Sequence, residues 1–426
     1  MRTAAGGGVH PALRAFRHRS FRVFFAGQGV SILGTWMQQV ATAWLVYRLT
    51  GSALMLGLTS GAQQLPMLFL SPIAGVWADR LDRRKVLLVV QTLAAAQAFL
   101  LAGLTFAGVV QVWQVIAIAL FLGMVNAFET PTRQAFLLEM VETKADLPNA
   151  IALQSMLFNA ARFVGPTIAG VLLAFAGEAW CFLVNGVSFL GVLIAYWLIR
   201  VAPRARPAAR SAWWSELQSG FRYAFGSLAM RRLIMLLAAL SFFTAPWQSL
   251  MPIFAAETFA GDSRTLGLLI GAVGAGALAA TGFLAMRANV RGLGTVIAGC
   301  GVTAALALIG FALSHRLSVS LALLAVFGFG LIACVASTNT ILQTIADEDK
   351  RGRIISIYVM TFLGIAPIGN FVAGAVAERI GAHWTMFGCG VGLAIATGWF
   401  AVALDSWRRA VRPIYLEQGI ISERHE

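Results

Sequence analysis

Apolar stretches of about 20 residues recur along the whole chain and are separated by short clusters of charged residues. A helix needs about 20 apolar residues to cross the hydrocarbon core of a bilayer, so each stretch has the length of one membrane span. Membrane β-strands are not expected, because they would alternate in hydropathy over about 10 residues. Twelve spans are predicted: 22–47, 53–77, 86–108, 111–131, 149–174, 179–199, 232–256, 265–286, 293–314, 317–339, 354–377 and 382–404.

The composition supports an all-α membrane protein. Of the 426 residues, 59% are hydrophobic and only 12% are charged. A soluble protein carries about a quarter charged residues because its exterior faces water. The exterior of this chain is therefore expected to face membrane lipids.

The basic residues predict the orientation, because cytoplasmic loops retain Lys and Arg during insertion. With both termini in the cytoplasm, most of the 32 Lys and Arg residues fall on that side. This asymmetry also explains the net charge of +14 without a nucleic-acid partner. We expect a multi-pass protein of the bacterial cytoplasmic membrane. The basic residues placed elsewhere are Arg48, Arg264, Arg316 and Arg379 on the opposite side and Arg162 within the fifth span.

The spans divide into two six-helix halves, predicted as 22–199 and 232–404. The flanks, 1–21 and 405–426, are assigned to the cytoplasm, as is the linker 200–231. In the linker, apolar residues at helical spacing predict a helix lying in the membrane interface. They are Trp214, Leu217, Phe221 and Phe225.

The two halves share residues at a constant offset of 204 positions, which indicates an internal repeat. Duplicated halves around a midplane binding site are a recurrent architecture of secondary transporters. The pattern therefore favours movement of a small-molecule solute. The pairs are Leu138 and Leu342, Gly165 and Gly369, Ala169 and Ala373, Gly170 and Gly374, Gly177 and Gly381, and Trp180 and Trp384.

The loop between the second and third spans reads GVWADRLDRRK from Gly75 to Lys85. It resembles the signature G-x-x-x-D-R-x-G-R-R of the major facilitator superfamily. Asp82 occupies the position of a glycine, but Asp tolerates tight turns and the loop is expected to form. The matching positions are Gly75, Asp79, Arg80, Arg83 and Arg84.

The resemblance implies a conformational gate at this loop. Asp79 would pack at the cytoplasmic end of the eleventh span, whose N-terminal amides favour an anion. Arg83 would pair with an acid ending the fourth span, and Glu129 is the predicted partner. The alternative is that the basic residues of the loop only set orientation.

The fifth span contains a second resemblance, to the superfamily's antiporter motif G-P-x-x-G-G. Gly165, Pro166 and Gly170 match it, while Ala169 replaces one glycine. The resemblance favours export over import, although these residues would also suit a helix kink and a packing face.

Three further segments resemble the superfamily branch that contains the enterobactin exporter and the macrolide-efflux proteins. They are Trp36–Val40, Pro131–Ala135 and the stretch from Leu342 to Arg353. This resemblance implies efflux of siderophore-like or drug-like amphipathic molecules and does not name a substrate.

Polar residues within the spans are candidates for a substrate cavity, although each would also serve as an interhelical contact. Arg162 is the one charge placed deep in a span, where it requires a partner or a polar cavity. A structural hydrogen-bond role for Arg162 remains an alternative. The candidates are Gln38, Gln39, Gln154, Asn159, Arg162, Trp247, Gln248 and Asn370.

The energy source is open, because on these boundaries every acidic residue falls in a loop, a tail or a span end. The resemblance implies proton antiport, through Asp79, Glu129 or the substrate itself. No cofactor and no metal are expected, since the five histidines and four cysteines show no ligand spacing. An importer, a membrane-embedded enzyme and a sensor remain as alternatives. Each chain of this architecture can enclose its own pathway, so a functional monomer is expected.

Overall fold

The computed structural model describes residues 11–141, 143–199, 213–287, 289–348, 350–418 and 420. Within these ranges, the side chains at 11–12, 71–73, 75–76, 78–80, 144 and 213–217 lie outside the description.

The described residues form helices and no strands, as predicted. The first half contains α1 (Arg19–Thr50), α2 (Ala53–Arg80), α3 (Arg83–Phe106), α4 (Val112–Met140), α5 (Leu147–Ala176) and α6 (Glu178–Leu198). Between the halves lies α7 (Trp213–Gly226). The second half contains α8 (Leu228–Thr244), α9 (Pro246–Ile253), α10 (Ser263–Ala285), α11 (Leu293–Leu313), α12 (Leu317–Ile345), α13 (Arg351–Ile380), α14 (Ala382–Val402) and α15 (Leu404–Glu417).

Eleven segments in the described part of the chain are long and apolar enough to cross a membrane. One of them joins α8, α9 and a π-helical turn, Phe254–Thr258, into a single segment, Leu228–Thr258. The first predicted span corresponds to α1, which has the length but less apolar character because it carries several glutamines. Since α1 lies along α5 and α6, it completes the predicted bundle of twelve.

The internal repeat predicted from the sequence is visible in the helix boundaries. α13 begins and ends 204 residues after α5, and α14 begins 204 residues after α6. The residue between the helices is Gly177 in one half and Gly381 in the other, with φ of 84° and 86°. Only glycine adopts this region readily, so the same sharp turn recurs at equivalent positions.

The fourth span is longer than predicted. The sequence Thr130-Pro131-Thr132 reads as the start of a loop, yet α4 continues through Pro131 to Met140. Proline removes one backbone donor, but polar side chains nearby can compensate within a membrane helix. The extension places Glu129 inside α4 rather than at its end.

The halves meet along two seams, α2 against α13 and α5 against α10. A Cβ atom on Gly170 would lie 2.7 Å from the Ser263 carbonyl oxygen and 3.0 Å from Gly267 Cα. In the equivalent seam, a Cβ on Gly374 would lie 3.0 Å from Gly57 Cα. Glycine at both positions lets the helix backbones touch directly.

Two amphipathic helices lie outside the bundle. In α7, the rings of Phe221 and Phe225 stack at 6.0 Å, while the predicted interfacial residues Trp214 and Leu217 have side chains outside the description. In α15, Trp407 is buried and its Nε1–H donates to the Ala229 carbonyl oxygen at 3.2 Å. The amphipathic helix α15 therefore packs on α8.

Candidate functional site

A cavity of about 320 Å³ lies within the first six-helix half, and we call it the N-half cavity. Glutamine and asparagine side chains and one acid–base pair line it, together with apolar side chains that include three aromatic rings. Helices α1, α2, α3, α4 and α6 supply all lining residues except Phe158 of α5. The polar lining residues of largest size are Gln28, Gln38, Gln39, Gln63, Gln64, Gln91, Gln97, Asn126, Glu129, Arg133 and Asn185.

One wall of this cavity is a hydrogen-bonded amide network across three helices. Gln38 Nε2 donates to Gln97 Oε1 at 3.1 Å, and Asn185 Nδ2 donates to Gln38 Oε1 at 2.6 Å. All three side chains are buried. Buried amides that satisfy one another fix the positions of α1, α3 and α6 and present a rigid polar surface.

Two other cavity-lining amides have an unsatisfied oxygen. Gln28 Oε1 and Gln91 Oε1 are buried and have no hydrogen-bond partner among the described residues. An unpaired buried carbonyl oxygen costs free energy, and a hydroxyl or ammonium group of a solute can satisfy it. The cavity is therefore chemically suited to an amphipathic guest with hydrogen-bond donors.

The cavity also contains an ion pair on α4. Arg133 Nε donates to Glu129 Oε1 at 2.7 Å, and the two side chains are 7% and 13% exposed. The guanidinium carbon lies 4.7 Å from the centre of the Phe158 ring. The expectation that every acidic residue falls in a loop, a tail or a span end is wrong for Glu129, because α4 runs past Pro131 to Met140.

A second, smaller cavity of about 50 Å³ lies where the halves meet. It shares Gln39, Gln63 and Gln64 with the N-half cavity and adds Gln248 and Asn370 from the second half. Ser249 Oγ donates to Asn370 Oδ1 at 2.9 Å, whereas Gln248 Nε2 is buried without a partner. The shared glutamines connect the N-half cavity to the seam.

The remaining cavity candidates lie elsewhere. Gln154 is buried and lines neither cavity, and Asn159 Nδ2 donates to Ser155 O of its own helix at 3.0 Å. Trp247 is buried against Phe327, with ring centres 6.2 Å apart.

Arg162 is half-buried near the middle of α5. Its guanidinium carbon lies 5.5 Å from the centre of the Trp36 ring, which lines the N-half cavity.

The motif of the fifth span forms close helix contacts. A Cβ on Gly165 would lie 2.6 Å from Trp36 Cβ of α1, and Gly170 faces α10 as described above. Pro166 lies inside α5, which is not interrupted there. Gly165 and Gly170 therefore allow α5 to contact α1 of the first half and α10 of the second half closely.

We call the end of the bundle where α1 meets α2, α5 meets α6 and α13 meets α14 the distal end, and the opposite end the basic end. At the distal end, Ser52 Oγ donates to Glu378 Oε2 at 2.9 Å, and Tyr47 OH donates to Glu257 Oε1 at 3.1 Å. Ser263 Oγ also donates to the Gly170 carbonyl oxygen at 3.2 Å. Among hydrogen bonds between described side chains, those joining the two halves lie at this end.

At the basic end, the α2–α3 loop forms a tight turn. Asp82 is the N-cap of α3, its Oδ1 accepts from Lys85 N–H at 3.2 Å, and its φ is −68°. The turn therefore does not require the glycine of the superfamily signature. Arg84 donates to the carbonyl oxygens of Tyr196 and Trp197 at the C-terminus of α6.

The predicted Arg83–Glu129 pair is corrected by the structure. Arg83 Nη1 forms an ion pair with Glu139, ten residues further along α4 than Glu129. Ten residues of helix correspond to about 15 Å, so Glu129 lies too far towards the membrane centre for this contact. The side chains of Asp79 and Arg80, and the surroundings of Gly75, lie outside the described residues.

The helix between the halves clasps the α12–α13 loop at the basic end. Lys350 Nζ lies 4.4 Å from the centre of the Tyr223 ring and 3.0 Å from Asp347 Oδ2. The hydrogen bond from Lys350 lowers the pKa of Asp347 below its ordinary value. Arg353 Nη1 also donates to Ser219 Oγ at 3.0 Å.

Sequence reasoning missed most of the lining of the N-half cavity. A signal was present, because Gln63, Gln64, Gln91, Gln97 and Asn185 are amides inside apolar spans. Within the described residues, no three His, Cys, Asp or Glu side chains are grouped to hold a metal ion.

Comparison with known proteins gives a consistent result. A model of the family described as transmembrane secretion effectors matches residues 10–411. The staphyloferrin A transporter of Staphylococcus aureus is 24% identical over 363 residues, covering 84% of this chain and 90% of that protein. The multidrug efflux pump Tap of Mycolicibacterium fortuitum is 26% identical over 370 residues, covering 84% and 88%. A bacterial homologue of the lysosomal transporter Spinster, solved in an inward-facing conformation, has a TM-score of 0.72 at 16% identity and covers 95% of this chain and 99% of that chain.

Proposed function

The chain belongs to the transmembrane secretion effector family of the major facilitator superfamily, and from that premise we propose that it exports small amphipathic molecules by alternating access. The N-half cavity is the observation that carries this proposal. Its aromatic rings and unpaired amide oxygens suit an amphipathic guest. The efflux function of the Tap relative supports the outward direction.

The contacts between the halves support alternating access. Ser52, Tyr47, Glu257 and Glu378 hold the distal end together, so solute would enter from the basic end. The excess of Lys and Arg at the basic end supports a cytoplasmic location for that end and for both termini. We also propose that the protein resides in the bacterial inner membrane.

We extend the proposal to proton antiport, with the Glu129–Arg133 pair as the coupling group. Glu129 lines the N-half cavity, so a proton and a solute would reach the same place. Protonation of Glu129 would release Arg133 from its partner and change the charge of the cavity. Competition between proton and solute for one site is the simplest physical basis for exchange.

The test compares accumulation of labelled siderophores and antibiotics in cells that lack their own exporters. Expression of the wild-type protein is expected to lower accumulation of at least one class. Glu129→Gln and Asp79→Asn, at matched expression, are expected to abolish the difference. Glu417→Gln serves as the control because Glu417 is exposed at the end of α15.

Higher accumulation with the wild-type protein would reverse the direction to import. No difference across a broad panel would contradict the export proposal and favour the sensory or enzymatic alternatives. Dissipation of the proton gradient separates coupling from binding, because export that persists without a gradient would contradict proton antiport.

A further inference from the structure

Arg162 is a cation without a described counter-ion in the middle of a membrane helix. Its Nε is buried and has no hydrogen-bond partner in the part of the chain that the structure describes, and no described carboxylate forms an ion pair with it. A guanidinium stays protonated under physiological conditions, so burial does not make it neutral. A charge at this depth is costly unless an anion or a polar cavity compensates it.

The Arg162 guanidinium group lies next to an aromatic ring that lines the N-half cavity. Its guanidinium carbon lies 5.5 Å from the centre of the Trp36 ring. Stacking on an aromatic face uses the face of the guanidinium and leaves its N–H edge for planar acceptors. Trp36 lines the N-half cavity, so the cation adjoins the space in which the proposed function places the solute.

The position of Arg162 also connects it to the seam between the halves. A Cβ on Gly274 of α10 would lie 2.8 Å from the Arg162 carbonyl oxygen. The backbone of Arg162 therefore contacts the second half directly, while its side chain points to the first half. A ligand bound by this side chain would be held where the halves move against each other.

Arg133, the cation that lines the N-half cavity, does not offer such a site. Arg133 is already paired with Glu129 at 2.7 Å, so its charge is compensated. Arg162 thus differs from Arg133 in the one property that decides anion binding, the presence of a partner carboxylate.

We propose that Arg162 binds the carboxylate group of an amphipathic solute, with Trp36 stacking on the guanidinium. The inference rests on the proposed function for its transport role and deepens it by naming an acidic substrate class. A carboxylate matches the N–H edge of a guanidinium in bidentate geometry, which Lys does not reproduce.

The experiment uses the purified full-length protein in lipid nanodiscs and three matched probes. They are 2-naphthaleneacetate, its methyl ester and 2-(2-naphthyl)ethylamine, whose binding is measured by calorimetric titration. The wild-type protein is expected to bind the carboxylate about tenfold or more tightly than the ester and the amine, as charge-assisted hydrogen bonds imply. This comparison needs no variant and remains valid if a substitution disturbs folding.

The variants locate the preference. Arg162→Gln is expected to remove it, so that the three probes bind equally, and Arg162→Lys to retain only part of it. Arg287→Gln is the matched control, because Arg287 also stacks on an aromatic ring, Phe283, at 5.4 Å but is exposed. The Arg287→Gln variant is expected to prefer the carboxylate probe as strongly as the wild-type protein does.

Absence of carboxylate binding to the wild type, equal binding of the three probes to it, or a preference that persists in Arg162→Gln would each overturn the inference. Failure of the proposed function is distinguishable. If binding follows the expectation while cells show no change in solute accumulation, the anion site stands and export does not. If export occurs and Arg162→Gln leaves both binding and export unchanged, export stands and the anion site does not.

Discussion

The two halves share one helix plan but use their polar side chains differently. In the first half, amides from α1, α3 and α6 bond to one another around the N-half cavity. In the second half, several buried hydroxyls bond to their own helix, as when Thr397 Oγ1 donates to the Leu393 carbonyl oxygen at 2.8 Å. A hydroxyl satisfied within its own helix neither links helices nor attracts a solute.

The cavities show the same difference. The N-half cavity has about 320 Å³, and its lining combines amide and charged side chains with apolar ones. A cavity between α8, α9, α13 and α14 has about 180 Å³ and a mostly apolar lining, including Phe242, Val372 and Trp384. The larger cavity with amide and charged side chains therefore lies in the first half.

Substitutions in the two glycine seams are expected to have the largest effect, because each half contributes one helix to each seam. Gly170→Val and Gly374→Val are each expected to reduce transport to background, since a Cβ would lie 2.7 Å from the Ser263 carbonyl oxygen or 2.9 Å from that of Ala53. Accumulation assays at matched expression check this. Gly398→Ala is the control, because a Cβ there meets no atom within 4 Å. Loss of transport in only one of the two variants would show that the two seams are not equivalent.

The ion pair of the first half has the next largest expected effect. Glu129→Gln leaves Arg133 buried without its partner, which typically costs about 3–5 kcal/mol. The thermal unfolding midpoint of the purified protein should fall accordingly. The double variant Glu129→Gln/Arg133→Gln should recover much of the loss, and a midpoint as low as that of the single variant would contradict this explanation.

The amide network is expected to have an intermediate effect. Gln38→Leu removes one partner each from Gln97 and Asn185, and buried groups left unsatisfied cost about 1–3 kcal/mol. The unfolding midpoint in detergent and the affinity for an exported compound should both decrease. An unchanged midpoint would indicate that water replaces Gln38 and that the network does not hold the helices.

The smallest effect is expected in the second half. Thr397→Val removes a hydroxyl whose acceptor, the Leu393 carbonyl, already belongs to the helix, so the cost should stay below about 1 kcal/mol. Thermal unfolding alongside Gln38→Leu gives a direct comparison of the halves. A decrease as large as that of Gln38→Leu would remove the distinction between them.

Much of the fold was predictable, because hydropathy and charge report directly on membrane spans. The halves, the repeat and the helical linker segment follow from apolar length, a constant offset and helical spacing. The end of α4 was not predictable in this way. Proline and threonine after Glu129 resemble a loop in sequence, but a membrane favours a continued helix because it offers no water to an open backbone.

The position at which α4 ends determines which acidic residue belongs to the candidate site. With α4 ending at Pro131, Glu129 is a surface acid and the natural partner of Arg83; with α4 ending at Met140, Glu139 takes that role and Glu129 lines the N-half cavity. The cavity itself was less predictable than its residues. Hydropathy marks an amide as unusual within a span but does not show which helix face it occupies or whether a neighbouring amide satisfies it.

The glycine seams also bear on the speed of the conformational cycle. Gly57 meets Gly374 and Gly170 meets Gly267 through backbone atoms, so these contacts contain no side-chain rotamers that must change before the halves slide. The activation barrier would then come mainly from polar contacts such as Ser52 with Glu378 and Tyr47 with Glu257. Turnover should therefore be limited by a few breakable hydrogen bonds rather than by repacking of an interlocked surface.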